Sequence, residues 1–484
     1  MAAPQRGSSG AARGTIQIFA GRMFFLASGY LITIILARNM GPAEYGTYGL
    51  IISLLVWLEG FMGLGVAQAA MLTIPGSSNA AQIAQAVRII ICTMALVLFA
   101  ACWILAPWGA AFFKLEYGAT QFRIAVADLP FFGLFLAYQG TLQGYERYGS
   151  IAIGLIVYAS TKLLGTLLLF FVGFSVEAAL VVNVVTTVAA LVYFVAAERP
   201  SFTIPARAFV YQLMSIALPI AIFDFTFQLV TSAHMWLLKR IGDTPDVVIG
   251  YYAAALNVAR LPTMIATVLS GIVLASISAA LAADDKARAH RYVQSASRFT
   301  FVVLAPVCVF GALQAKEIML LMYSDAYVDS ASFFVPLLLG CGMLSLLLTM
   351  LNCLIAAKRR YLAAAILVAM LPTLLVLGVA LTSTFGPVGA AHSFLATTTA
   401  GAIVSVIVVH RYFGNPARLA MLLRVTVATG LVSILGVFLH LPGLGVLLVL
   451  AILQCAYWIL LVLFKELGKE DLRPFAVWQT GRAR

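Results

Sequence analysis

The stretch ARNMGPAEYGTYGLI, from Ala37 to Ile51, separates two long apolar runs and decides how the chain is laid out. Upstream, residues 15–37 are apolar for about the length of one bilayer crossing, and downstream, residues 47–72 are apolar for another. Between them Pro42 cannot continue a helix, while Gly41 and Gly46 permit a tight reversal. The expected unit is therefore a membrane helix, a sharp turn at the membrane surface, and a second membrane helix. The composition extends that unit to the whole chain. Of 484 residues, 63% are hydrophobic and only 10% are charged, with a mean hydropathy of +1.02. Soluble domains carry about 25% charged residues, so the solvent here is lipid.

A ruler of about twenty apolar residues per crossing gives fourteen spans. They lie near residues 15–37, 47–72, 87–108, 122–142, 151–172, 177–197, 213–236, 248–275, 297–315, 332–356, 361–383, 387–409, 420–439 and 443–464. The basic N-terminus could imitate a signal peptide. The apolar run behind it is longer than a signal peptide's apolar core, so it is read as a first transmembrane helix kept in the mature chain. No loop exceeds about twenty residues, which leaves no room for a separate soluble domain. Whatever the protein does, it does within the membrane.

The net charge is +12, from thirty Lys and Arg against eighteen Asp and Glu. With the N-terminus in the cytoplasm, twenty-one of the thirty basic residues fall on the cytoplasmic side, six on the other and three within spans. A bias of this size follows from the positive-inside rule and replaces nucleic-acid binding as the reason for the charge. Both termini are expected in the cytoplasm. The six cysteines lie inside apolar runs without CxxC or Cys/His spacing, so neither a disulfide framework nor a metal site is indicated. Neither a G-x-S-x-G, an HExxH nor a Walker A sequence occurs, and no cofactor is implied. The expectation is a transporter without ATPase or other enzymatic activity.

Two short echoes suggest internal repetition. LQGYERY, from Leu142 to Tyr148, returns as LIAAKRR, from Leu354 to Arg360, and GTYGLIIS at Gly46 returns as GYYAAALN at Gly250. The offsets are nearly equal, and each pair sits at equivalent ends of equivalent helices. The expected architecture is an all-α polytopic membrane protein of about fourteen helices. It comprises an N-terminal lobe (1–200), a pseudo-symmetric C-terminal lobe (201–412), and two additional helices with a cytoplasmic tail (413–484). Paired six-helix lobes are a transporter signature, because rocking about a midplane site gives alternating access.

ARNMGPAEYGTYGLI, LQGYERYG (Leu142 to Gly149) and IGYYAAALNVARLP (Ile249 to Pro262) together resemble the Wzx-type flippases. These form the polysaccharide-export branch of the multidrug/oligosaccharidyl-lipid/polysaccharide (MOP) exporter superfamily, and the resemblance extends over all fourteen expected helices. It implies a multi-pass protein of a bacterial inner membrane. It also implies translocation of undecaprenyl-pyrophosphate-linked oligosaccharide repeat units from the cytoplasmic to the periplasmic leaflet, for O-antigen, capsule or exopolysaccharide synthesis. The implied partners are the lipid-linked oligosaccharide, a coupling H+ or Na+, and a polysaccharide polymerase or chain-length regulator. A cationic cavity formed by helices of both lobes is part of the same implication.

Ionisable residues within spans carry the chemistry, because each costs at least ~2.5–3.5 kcal/mol at the bilayer centre unless sheltered. There are three cations, Arg22, Lys162 and Arg260, and three anions, Glu59, Asp128 and Asp224. Lys162 lies about eleven residues into its helix, roughly 17 Å deep at 1.5 Å per residue. Arg260 is at similar depth and is followed by Pro262. Arg22, Lys162 and Arg260 are accordingly the candidate substrate-binding residues, matched to a pyrophosphate. Asp224 and Glu59 are the candidate ion-coupling residues. Asp128, close to Pro130 and the outer end of its helix, is read as structural. Six groups of balanced sign could instead neutralise one another and fix helix packing. Two other functions fit the class. A drug or metabolite antiporter of the same fold would favour acidic groups without deep Lys and Arg. A membrane glycosyl polymerase would need a sizeable polar outer loop, which the chain lacks.

Overall fold

A computed structural model describes residues 8–199 and 204–466. Within them the regular secondary structure is helical throughout. The elements in order are α1 (Ser8–Thr73), α2 (Ala80–Phe112), α3 (Gly118–Val126), α4 (Leu129–Gly144), α5 (Tyr148–Val172), α6 (Val176–Glu198), α7 (Arg207–Ile241), α8 (Asp246–Ala259), α9 (Leu261–Ala282), α10 (Lys286–Leu313), α11 (Ala315–Met322), a short 3-10 turn (Asp325–Ser330), α12 (Ala331–Ala356), α13 (Arg360–Phe413), α14 (Leu419–Phe438) and α15 (Gly445–Leu463).

Eleven helical segments among the described residues are long and apolar enough to cross a membrane. Two of them are too long for one crossing. At 1.5 Å per residue, the 66 residues of α1 and the 54 of α13 would each far exceed a hydrocarbon core of about 30 Å. Each is interrupted by one glycine outside helical geometry, Gly41 (φ 77°) in α1 and Gly386 (φ 60°) in α13. The break at Gly41, immediately before Pro42, lies inside the Ala37–Ile51 segment, at a positive φ that glycine alone adopts without strain. Each therefore counts as two crossings, and α8 with α9, interrupted at Arg260, supplies a further one. The all-α, polytopic architecture of about fourteen helices is the one expected.

Side-chain exposure shows what surrounds the helices. On α5, Phe171 and Val172 are 88% and 80% exposed, and on α2 Leu96, Val97, Ile104 and Leu105 all face outward. Large apolar stripes of this kind would condemn a soluble protein. In a bilayer they are the correct outer face, because the helices satisfy their own backbone hydrogen bonds.

Packing divides the chain into two compact units. Among the described residues, the first holds those up to Ala253 together with Leu374–Ala390, and the second holds Ala254–Thr373 and residues 391–466. Helix α7, which the sequence echo groups with the second half, packs in the first unit, mainly against α1. Small residues let those helices approach closely, as is usual between membrane helices. Phe135, Tyr158 and Phe194 form an aromatic core for α4, α5 and α6, with Phe135 and Phe194 stacked at 5.1 Å.

In the second unit the last two helices are integral. Val302 and Phe310 of α10 share a buried core with Val425 and Val432 of α14 and Leu453 and Tyr457 of α15. Polar ties fix the arrangement. The Tyr457 hydroxyl donates to the Val302 carbonyl at 2.9 Å, and Gln314 donates to the Gly436 and Leu439 carbonyls at 3.1 and 2.9 Å. Just beyond α15, the Glu466 carboxylate pairs with both Arg298 and Arg424 at 2.9 Å.

Candidate functional site

The first unit contains a polar cluster built around a broken helix. α3 and α4 are separated at Ala127 and Asp128, and Pro130 stands at the start of α4, where its missing N–H costs nothing. Asp128 is fully buried at this break. Its Oδ2 accepts from Asn183 Nδ2 of α6 at 2.9 Å, and Asn183 Oδ1 accepts in turn from Lys162 Nζ of α5 at 2.7 Å. Thr187 adjoins the same carboxylate. Glu59, from the second half of α1, lies within electrostatic range of both Asp128 and Lys162. The Lys162 ammonium also stands 5.8 Å from the centre of the Tyr158 ring, within reach of a cation–π attraction.

Of the residues singled out from sequence, Lys162 and Glu59 thus fall in one electrostatic cluster, together with Asp128. Asn183 is a member that the sequence reading passed over. A search confined to ionisable groups does not register a neutral amide, although an Asn at mid-span needs partners for the same reason a charge does. Counting amides inside apolar runs would have found it.

Asp224 makes a different contact in the same unit. Its Oδ2 accepts from Gln68 Nε2 of α1 at 3.2 Å. Next to it Phe225 packs on Trp57 at 5.1 Å and on Phe61 at 5.3 Å, and Trp236 donates to Ser53 Oγ at 2.8 Å. Arg22, in the first half of α1, has an exposed side chain.

Arg260 belongs to the second unit and occupies the break between α8 and α9. The local sequence there, Arg260-Leu261-Pro262, mirrors Asp128-Leu129-Pro130 at the other break. Both place a charge at the interruption two residues before a proline, where helix geometry is already relaxed. The half-buried Arg260 side chain acts electrostatically on Cys341 of α12, and Thr263 donates to the Cys341 carbonyl at 3.2 Å.

A further charged pair is structural. Arg88 Nη1 meets Glu198 Oε1 at 2.5 Å, with side-chain exposures of 7% and 5%. The other carboxylate oxygen accepts from Thr141 at 2.5 Å, Gln85 accepts from the same guanidinium at 2.9 and 3.1 Å, and the Tyr138 ring lies 5.4 Å beneath it. Arg88 is one of the twenty-one basic residues assigned to the cytoplasmic side, and the structure buries it between α2, α4 and α6. His234 is likewise satisfied, with Tyr252 Oη at 2.7 Å and the Thr231 carbonyl at 3.0 Å, as expected for a packed histidine.

Comparison with known structures places the fold. The lipid II flippase MurJ, in an inward closed conformation, matches with a TM-score of 0.75 and 14% identity, over 93% of this chain and 99% of that one. An inward-facing multidrug resistance MATE family transporter of the MOP superfamily matches with a TM-score of 0.70 and 12% identity, over 83% and 98%. A MOP superfamily transporter from Pyrococcus furiosus gives 0.62 and 14%, over 84% and 95%. At these identities the likeness is one of fold, which is that of MOP superfamily transporters. No curated protein matches the chain. Residues 35–332, more than half of the sequence, match the family described as polysaccharide biosynthesis protein, and together with the shared fold this establishes that the chain belongs to that family.

Proposed function

We propose that the protein is a flippase that carries undecaprenyl-pyrophosphate-linked oligosaccharide repeat units across a bacterial inner membrane, from the cytoplasmic to the periplasmic leaflet, for surface polysaccharide synthesis. The observation that carries this reading is the presence of Lys162 and Arg260 deep within spans of a polysaccharide biosynthesis family member. Lipid tails do not admit a pyrophosphate, and a sheltered cation offsets its desolvation. Arg22, Lys162 and Arg260 supply that positive charge. Arg260 is the best suited, since its planar fork meets two phosphate oxygens at once. Glu59 and Asp224 serve the coupling ion, H+ or Na+. The protein moves its substrate without reacting with it and hands it to a polymerase or chain-length regulator in the outer leaflet. The excess of basic residues on one side supports a cytoplasmic location for both termini, which lie outside the described residues.

Arg260→Ala and Lys162→Ala are each expected to abolish surface polysaccharide while leaving membrane insertion and abundance intact. Immunoblotting of the membrane fraction and staining of the cell surface measure the two quantities separately. In the variants, repeat units should accumulate on the inner leaflet. Normal export from both would exclude the cationic route, and unpolymerised units accumulating outside would point to polymerase activity.

A further inference from the structure

The cluster of the first unit has the wrong sign for an anion. With Glu59 and Asp128 ionised and Lys162 protonated, one positive charge faces two negative ones, and the net charge is negative. A pyrophosphate brought to Lys162 would be repelled by both carboxylates at low dielectric, where such repulsion is strong. The neighbouring polar groups do not reverse the sign. Among the described residues, Tyr158 of α5 interacts electrostatically with both carboxylates, and Tyr48 of α1 interacts with Tyr158; a phenol carries no charge near pH 7. Asn183 and Thr187 of α6 are neutral at every pH. Each proton bound by a carboxylate raises the net charge by one, from negative through zero to positive.

We propose that Glu59, Asp128 and Lys162 form a proton-dependent charge switch, in which the two carboxylates hold the Lys162 ammonium until protons neutralise them and only then release its charge to an anionic headgroup. Asn183 is the positioning residue, because it links the Lys162 ammonium to the Asp128 carboxylate through its two amide atoms. Protons and anionic lipid then bind together at this cluster. By linkage each raises the affinity for the other by the same factor. The inference rests on the flippase reading for the anionic nature of the ligand, and it adds which ion is taken up and where.

The test uses the full-length protein in nanodiscs and farnesyl pyrophosphate as probe. Calorimetric titration in buffers of different ionisation enthalpy counts the protons taken up on binding. The wild type is expected to take up as many as two protons per probe, one for each carboxylate, and to gain about tenfold in affinity per proton for each unit fall in pH across that range. Asp128→Asn and Glu59→Gln should each take up fewer protons and bind at least tenfold more tightly at high pH. Lys162→Gln should bind at least tenfold more weakly at low pH. The probe's own protonation is common to all variants and cancels in the comparison. Binding without proton uptake, or unchanged proton uptake in both carboxylate variants, overturns the switch and leaves the flippase reading intact. A requirement for Na+ at constant pH also overturns it. Absence of binding by the wild type at every pH overturns both.

Discussion

The Glu198→Ala variant is expected to lose about 3–5 kcal/mol of stability, the cost of removing one partner from a buried ion pair. Arg88 would keep its charge among α2, α4 and α6, with a side chain only 7% exposed. Gln85 would still accept two of its N–H groups, and the Tyr138 ring would still lie beneath it. Neither neutralises the guanidinium, and Thr141 would lose its acceptor as well. The deficit is one of unpaired charge, not of lost volume, which the double variant separates from it. Arg88→Met with Glu198→Met removes both charges and keeps most of the packing, so it should recover the larger part of the loss. Thermal unfolding of the three proteins in one detergent makes the comparison. A Glu198→Ala protein as stable as the wild type would mean that the pair is open to water, contrary to its position here.

The architecture was legible because the bilayer imposes a length. Runs such as 151–172 and 177–197 had to be helices, and they correspond to α5 and α6 within a few residues. Gly41-Pro42 was legible for a different reason, since proline and glycine act on the backbone locally. The candidate site was legible as a set of expensive residues but not as an arrangement. Glu59 and Lys162 were marked by their charge, yet nothing in one sequence says that their helices turn these side chains toward each other. Asp128 was read as structural from its position near an outer helix end. The helix break between α3 and α4 sinks it completely and hands it to Asn183. Arg88 shows the converse case. By position it counts among the basic residues of the cytoplasmic side, whereas its burial depends on Glu198, 110 residues away. Pairing between distant helices sets both outcomes, and hydropathy does not encode it.

The same limit applies to the echoed motifs, and it leads to a second large effect. Gly46 and Gly250 were recognised as equivalent positions in two similar segments. In the first unit they are also neighbours. A Cβ at Gly250 would lie 1.8 Å from the Pro42 carbonyl oxygen, and one at Gly46 would lie 2.2 Å from the Asp246 carbonyl oxygen and 2.6 Å from the Gly250 nitrogen. Every one of these obstacles is backbone, which cannot swing aside as a side chain can. Gly250→Ala therefore has to push α8 away from the turn that follows Gly41. Overpacking a tight contact costs about 1–3 kcal/mol and sometimes more, and this contact belongs at the upper end. Gly250→Val should be worse, with export lost along with stability. Gly29→Ala is the matched control, because a Cβ there meets nothing within 4 Å. Alanine is the better helix former by about 1 kcal/mol, so that variant should be neutral or slightly stabilised. The two alanine substitutions, identical in chemistry, are thus expected to move the unfolding temperature in opposite senses or by very unequal amounts. Equal, small shifts would show that α1 and α8 do not meet at these glycines. The GPAEYG segment would then be a turn and nothing more, with no part in holding the helices of the first unit together.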